Sequence, residues 1–514
     1  MGNYLIGVDV GTTGTKAMIL DRQGKIYGKG YGEYPCHYPH PNWVEQDVEL
    51  LIEETFKACK QAVIASGLDP KEIEAVGFSC QRATFTLVDQ DNNAIENIFY
   101  GWQDNRGGEI LAEVMEKMDP DTFFKSTGMP MTPTFTFLKL LWIMKNQPER
   151  YAKTKYLAMM PDYVQYRFGA DDFYCEMTNA CTSGYFDPNT MDWADNVIDA
   201  LGIDKSRLPK LVKPGEIVGK ITAEVAEKTG LAVGTLLVAG SGDQQCAAIG
   251  AGVIEDGFAS LTLGTAGLLV VGTENLVLKD VPGVMATSSA ALGLYNLEGI
   301  QLGAASSYRW VRDELADLEV ALGKKTAVDP YEIMDLHIKK SPVGSKGIIF
   351  MPYLCGSGYP YWNPDAKGIF AGITFAHSKS DMIRSVMEGI TMESKDMYET
   401  MKKSGVELKQ LAITGGATKS AAWRQVIADM FGVPIRKLEI PDATIVGAAV
   451  IAGVGAGWFA DVSEGVKTMV RYTDTIEPIA ENVEKYNELY EIYKNLYVTL
   501  SSNGVYDQFA KLGL

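Results

Sequence analysis

The chain has 514 residues, 46% hydrophobic and 22% charged, and its 47 basic against 65 acidic side chains give a net charge of −18. That length is too great for one core and points to roughly two to four folding units, and the composition excludes disordered and fibrous classes. The acidity excludes non-specific nucleic-acid binding, which needs a basic surface to release counterions, and suits a soluble cytoplasmic protein that handles small molecules.

Tyr4–Val10 (YLIGVDV) reads as a strand, Gly11–Lys16 (GTTGTK) as a Gly/Thr turn, Ala17–Leu20 as a second strand and Asp21–Gly24 as a charged turn. Strand, turn, strand is a β-hairpin. Walker and GxGxxG loops need a helix after their glycines, and neither consensus is present. The Pro-rich stretch Pro35–Trp43 is a turn, and its His37 and His40 form no ligand cluster. Asp47–Ser66 is broadly amphipathic and ends at Gly67, so it is expected to be a helix. Ala75–Phe78 reads as a buried strand before Cys80–Thr84 (CQRAT), and Ile98–Tyr100 precedes Trp102–Arg106 (WQDNR).

Thr235–Gln245 (TLLVAGSGDQQ) is a strand ending in glycines and a carboxylate. Residues 250–256 are turn-like and mark the expected domain boundary. A second hairpin follows, with Gly264–Gly267 (GTAG) as its tip. Two apolar hairpins with Gly-Thr tips, half a chain apart, imply two domains of similar construction. Ser380–Lys403 and Ser420–Phe431 read as helices opened by a capping Ser, the second stopped by Gly432. Thr444–Ala460 is uncharged and rich in Gly and Ala; a buried, closely packed helix accounts for it better than a membrane span. Glu477–Gly504 is a helical tail expected to pack on the second domain. Seven scattered cysteines without a CxxC pair read as reduced thiols, and the N-terminus has no signal-peptide pattern. Alternating strands and helices imply an α/β fold, divided as residues 1–252, 253–455 and a helical extension 456–514.

Tight glycine turns present backbone N–H groups and Thr hydroxyls add donors, so each tip can cradle phosphate oxygens. Asp9 lies two residues before the first tip, where a carboxylate can hold Mg²⁺ directly or through water. Two such tips from two domains would clamp a nucleoside triphosphate.

Asp9–Asp21 (DVGTTGTKAMILD) resembles the first phosphate loop of the actin-like ATPases, and within them of the FGGY carbohydrate kinases. The resemblance continues through Trp43–Asp47 (WVEQD), Gly368–Ile373 (GIFAGI) with Asp381–Glu388, and Thr414–Ala417 (TGGA) with Ser420, Gln425 and Asp429. Thr134–Asn146 matches a further family signature in part, through Lys139 and Trp142. The resemblance spans residues 4–455 and implies two ribonuclease H-like domains around an interdomain cleft. It implies ATP as co-substrate with Mg²⁺, a sugar or polyol acceptor, and no nucleic-acid or membrane partner; dimers are common in the family.

By the same resemblance, Asp243 is the general base and, with Asp9, a metal ligand. Gly11, Thr12, Thr13, Gly264 and Thr265 face the phosphates, and Gly415, Gly416 and Ala417 form a floor under adenosine. Lys16 reads equally as a phosphate partner or a solvated lysine. Gln81, Arg82, Trp102, Asp104 and Gln244 offer the donors, acceptors and ring face a polyol needs. GDQQ (Gly242–Gln245) and Gly358–Gly368 look like the glycerol kinase branch, yet Ala83 stands where that branch has Glu, Thr134 where it has Tyr and Leu268 where it has Phe. The pentulose branch carries a Met-His pair where this chain has Gln81-Arg82. Loss of a hydroxyl-accepting carboxylate weakens glycerol most, because it leaves a hydroxyl unpaired. The expectation is a pentulose, or a four-to-six-carbon polyol or sugar acid, with D-xylulose the favoured name. A sugar-independent ATPase of the chaperone or filament kind, and a non-catalytic sugar sensor, are the other readings.

Overall fold

The computed structural model describes residues 2–512 apart from Val277, Lys279, Asp280 and Pro282. Its first half is built on a six-stranded sheet of β1 (Tyr4–Val10), β2 (Gly14–Asp21), β3 (Ile26–Glu33), β4 (Ile73–Cys80), β5 (Ile217–Lys220) and β6 (Leu236–Gly242). The strand order is β5-β6-β4-β1-β2-β3. β1, β2 and β3 pair antiparallel, β4 and β6 join parallel to that unit, and β5 closes the edge antiparallel. The second half repeats the plan with β7 (Phe258–Leu263), β8 (Gly267–Thr273), β9 (Met285–Ser288), β10 (Tyr295–Gln301), β11 (Gln410–Gly415), β12 (Ile435–Leu438) and β13 (Tyr472–Ile476). The order β9-β10-β8-β7-β11-β12-β13 contains the same succession of three antiparallel strands, two parallel ones and an antiparallel edge. The repeat expected from two hairpins therefore extends to whole sheets, with β9 as an added edge.

The helices follow their caps. α1 (Val48–Ser66) opens at Asp47, whose side chain accepts from Leu50 N, and stops at Gly67 at φ 65°. Its buried face packs against Ile6, Val8, Ala17 and Ile19 on one side of the first sheet. α2 (Asp243–Gly250) begins where β6 ends. α3 (Ala305–Glu314) and α4 (Pro330–Lys340) flank the second sheet's pocket, and α5 (Lys379–Met401) runs through its core. The cap of α5 is Ser378 rather than Ser380, because Asp381 reaches back to Ser378 N at 2.8 Å and completes a capping box. Ser380 sits in the first turn and bonds His337 Nδ1 at 2.9 Å. α6 (Ala421–Phe431) has the predicted boundaries, with Ser420 accepting from Trp423 N and Gly432 at φ 68°.

α7 (Ala443–Gly455) is the uncharged Gly/Ala run, buried almost throughout. It lies on the other face of the first sheet, against Leu5, Met18, Ala75 and Val238, and crosses α2. A Cβ on Gly447 would press into Cys246 O, and one on Gly250 into Ala443 O, so the two backbones touch where a glycine of one helix meets a carbonyl of the other. The tail helix α8 (Ala480–Ser502) starts after Glu477, since Pro478 holds its predecessor extended. Its Tyr486, Tyr490 and Tyr493 are buried against the second half's core. Among the described residues no helix is long and apolar enough to cross a membrane.

Candidate active site

The first tip is closed by Gly11 N donating to Gly14 O at 3.0 Å. Its carbonyls are already satisfied by protein: Gly11 O accepts from Tyr34 OH at 2.8 Å and Gln81 Nε2 at 3.2 Å, and Thr12 O from Gln46 Nε2 at 2.7 Å. The Thr12 hydroxyl accepts from Trp102 Nε1 at 3.0 Å, which leaves its own proton to donate. The second tip has the same character. Gly264 O accepts from Ala305 N at 2.8 Å, and Thr265 O from Ala304 N at 3.0 Å and Ser306 Oγ at 2.7 Å. With their acceptors occupied, both tips have N–H and O–H groups left to offer, which is the polarity an anion needs.

Asp9, at the end of β1, accepts from Ser79 Oγ at 2.8 Å. Burial raises its carboxyl from 3.8 to about 6; the Ser79 bond opposes this and the nearby Asp243 carboxylate adds to it. Asp243 opens α2 behind Gly242, a placement that follows from a strand running straight into a helix. Its Oδ1 accepts from Gln244 N at 2.7 Å and Arg82 Nε at 3.2 Å, while Oδ2 has no protein donor among the described residues. Burial pushes this carboxyl up and Arg82 pulls it back down. The Asp243 carboxylate lies close enough to raise Asp9, and the two together are a hard-oxygen donor set of the kind Mg²⁺ takes alongside water and phosphate oxygens.

Arg82 follows β4 and lies against Gly242. Next to it Ala83 is held at φ 54°, a left-handed conformation fixed by its N–H donating to Thr182 Oγ1 at 3.1 Å. The strand end behind Asp243 is also tied down: Gly242 N donates to Thr178 Oγ1 at 3.0 Å, and Thr178 is bonded in turn to Glu176 and Ser241.

The structure brings Asp9, Thr12, Arg82, Trp102, Asp243 and Gln244 into one linked region. Two expected sugar ligands stand apart from it. Asp104 is fully buried, with both oxygens taken by the Arg106 guanidinium, Arg106 N and Val44 N, so it braces a loop. Gln81 is buried behind the first tip, donating to Gly11 O and Gln46 Oε1. Lys16 pairs with Asp442 at 3.2 Å across the two halves.

Gly415, at φ 85° and pressed against Leu263 O, requires the absence of a side chain. Gly416 and Ala417 form one wall of a cavity of about 250 Å³ whose other walls are Tyr308, Tyr331, Asp335, Ser420 and Trp423. Tyr308 and Tyr331 stack at 21°, and Asp335 accepts from Ser420 Oγ at 2.9 Å. The two tyrosines and Asp335 were not legible beforehand, because they sit on helices α3 and α4 with no motif spacing. Gln425 and Asp429 point away from this cavity: Asp429 accepts from Ile479 N and Asn482 Nδ2 and so anchors the tail.

Sequence reasoning also missed Glu298. Its side chain is 0% exposed and meets Arg82 twice, in a hydrogen bond from Nη1 to Oε1 at 2.8 Å and an ion-pair contact between Nη2 and Oε2 at 2.7 Å. The one available signal was an acidic residue inside the apolar strand YNLEGI.

Residues 4–250 match the N-terminal domain of the FGGY family of carbohydrate kinases, and residues 259–456 match its C-terminal domain. The chain belongs to that family. Among its relatives, the xylulose kinase of Bacillus subtilis (strain 168) is 28% identical over 495 residues, 96% of either chain. The glycerol kinase of the same organism is 28% identical over 502 residues, 96% of this chain and 97% of its own. The crystal structure of gluconate kinase from Lactobacillus acidophilus superposes with a TM-score of 0.89 at 26% identity, covering 98% of this chain and 99% of its own. This FGGY protein is thus an ATP-dependent carbohydrate kinase with the actin-like fold that the family resemblance implied. Near-equal similarity to kinases of three acceptors leaves the choice of sugar to the site itself.

Proposed function

We propose that this kinase transfers the γ-phosphoryl group of Mg·ATP to a hydroxyl of a pentulose, D-xylulose being the favoured acceptor, with Asp243 as general base. The observation that carries the catalytic part is Asp243 itself: a carboxylate at a strand end, side chain 30% exposed, one oxygen held by Arg82 and Gln244 N and the other free of protein donors. A sugar hydroxyl is a poor nucleophile at neutral pH, and a carboxylate in hydrogen-bond reach takes its proton as transfer proceeds. Asp9 and Asp243 would hold the magnesium ion, which neutralises charge on the transferring phosphoryl oxygens. Gly11, Thr12, Thr13, Gly264 and Thr265 donate to the phosphates, and Gly415, Gly416 and Ala417 support the adenosine.

Ala83 supports a larger acceptor than glycerol. It stands where the glycerol branch carries Glu, and its methyl group offers a short triol no acceptor. Seven free cysteines fit a reducing, cytoplasmic setting.

Asp243→Asn keeps the shape and removes the base. Turnover in a coupled ADP-release assay is expected to fall by roughly 10²–10⁴-fold with ATP binding changed only a few-fold. Retained sugar phosphorylation by that variant overturns the assignment. A panel of ketoses, polyols and sugar acids in the same assay tests D-xylulose.

A further inference from the structure

Arg82 carries five N–H donors in two edges, each able to grip a carboxylate. The end-on edge is filled and the side edge is half filled. The end-on pair meets Glu298, Nη1 to Oε1 at 2.8 Å and Nη2 to Oε2 at 2.7 Å, and the side edge gives Nε to Asp243 Oδ1 at 3.2 Å. Glu298 belongs to β10 of the second half, so this grip crosses between the halves. Its Oε1 also accepts from Gln245 Nε2 at 2.7 Å and Thr287 Oγ1 at 2.8 Å. Swinging Glu298 aside would take the acceptor from Arg82 Nη1 and from the buried Thr287 hydroxyl, and one of two acceptors from the buried Gln245 Nε2, so the fork is held shut.

The cluster sums to one positive and two negative charges. Other basic groups of the first half are engaged elsewhere: Arg106 is buried against Asp104 and Glu45, Lys139 is buried with its ammonium on the carbonyls of Gly101 and Thr134, and Lys16, which faces Asp9, pairs with Asp442. A carboxylate on the acceptor would find no guanidinium edge with both donors free and would add a third negative charge. A hydroxyl meets neither obstacle, since each terminal nitrogen of Arg82 keeps one N–H and Asp243 accepts.

We propose that Glu298 sets the charge class of the acceptor: by closing the Arg82 fork from the opposite half, it admits neutral ketoses and polyols and turns away sugar acids. This rests on the kinase reading above and narrows it. Glu298 acts through Arg82 and is a positioning residue.

The test compares kcat/KM for D-xylulose, erythritol and glycerol with that for D-gluconate, in wild type and in Glu298→Gln. In wild type the best neutral acceptor is expected to exceed gluconate by about 100-fold or more, the scale of an uncompensated like charge. Glu298→Gln opens one arm of the fork and is expected to shift that ratio toward gluconate by about tenfold or more, mainly through a lower KM for gluconate. Wild type that uses gluconate as well as the neutral sugars overturns the inference, as does a variant that loses both in equal proportion. If Glu298→Gln does not fold, Thr287→Val, which removes one donor to Oε1, is expected to move the ratio in the same direction by about threefold, and an unchanged ratio overturns the inference. Wild type that phosphorylates no acceptor overturns the kinase reading and this inference with it; preference for gluconate overturns this inference alone.

Discussion

Asp104 spends both carboxylate oxygens on Arg106 and Val44, whereas Asp243 keeps one oxygen free of protein donors. The two residues should therefore fail in opposite ways. Asp104→Ala leaves the buried Arg106 with Glu45 as its remaining carboxylate partner, so denaturant titration is expected to show a loss of about 3 kcal/mol. Asp243→Asn should leave stability nearly unchanged while turnover falls. The WQDNR loop shows why such roles were only half legible: a carboxylate beside a ring and an arginine reads as a sugar site, and only burial reveals that Asp104 and Arg106 serve one another. Glu176 gives a pH signature at the same scale. Burial raises it from 4.5 to about 7, against the bonds it accepts from Thr178 and Asn179. Between those two values the folded chain holds a proton that the unfolded chain has released, so this group's contribution to stability falls as pH rises from 4.5 to about 7 and is level above. The Tm of Glu176→Gln relative to wild type should climb across that window, and a difference flat in pH would refute the assignment.

Elements were most legible where a short pattern fixes both local geometry and partner. Each Gly/Thr hairpin pairs with its own neighbour, so β1–β2 and β7–β8 follow directly from alternation and turn chemistry. The cavity walled by Gly416 and Ala417 was harder. Its floor comes from a glycine turn, but Tyr308 and Tyr331 reach it from separate helices, and helical periodicity reports a buried face without saying what that face encloses. The crossing of α2 and α7 is the sharpest element-level test. Gly447→Val puts a branched side chain where backbones touch, and overpacking of this kind costs about 1–3 kcal/mol or more. Chemical denaturation should show that loss, and kcat should fall too because α2 begins with Asp243. A stable, fully active Gly447→Val protein would mean that the helices have room to separate.

At the scale of the whole molecule, a net charge of −18 has to coexist with an anionic ligand. In the proposed site the attraction is local: two tips with their carbonyls occupied, and a carboxylate pair that would hold a metal. Stabilisation by nucleotide should accordingly depend on the metal. A non-hydrolysable Mg·ATP analogue at about 100 times its Kd should add about 2.7 kcal/mol, and excess EDTA should remove most of that gain. A thermal shift untouched by EDTA would argue against Asp9 as a metal ligand. The halves are joined by Arg82–Glu298 and Lys16–Asp442 as well as by α7, so ligand should protect both halves together.

The seating of α7 also has a consequence in time. One face of the first sheet is covered by α1, made early, but the other waits for residues 443–455, about two hundred residues after β6 is complete. At ribosomal speeds of about 5–20 residues per second, Leu5, Met18, Ala75 and Val238 stay bare for roughly 10–40 s in every round of synthesis. The nascent first half thus carries an uncovered apolar face throughout the making of the second, and a chain released before Gly455 is expected to aggregate through it.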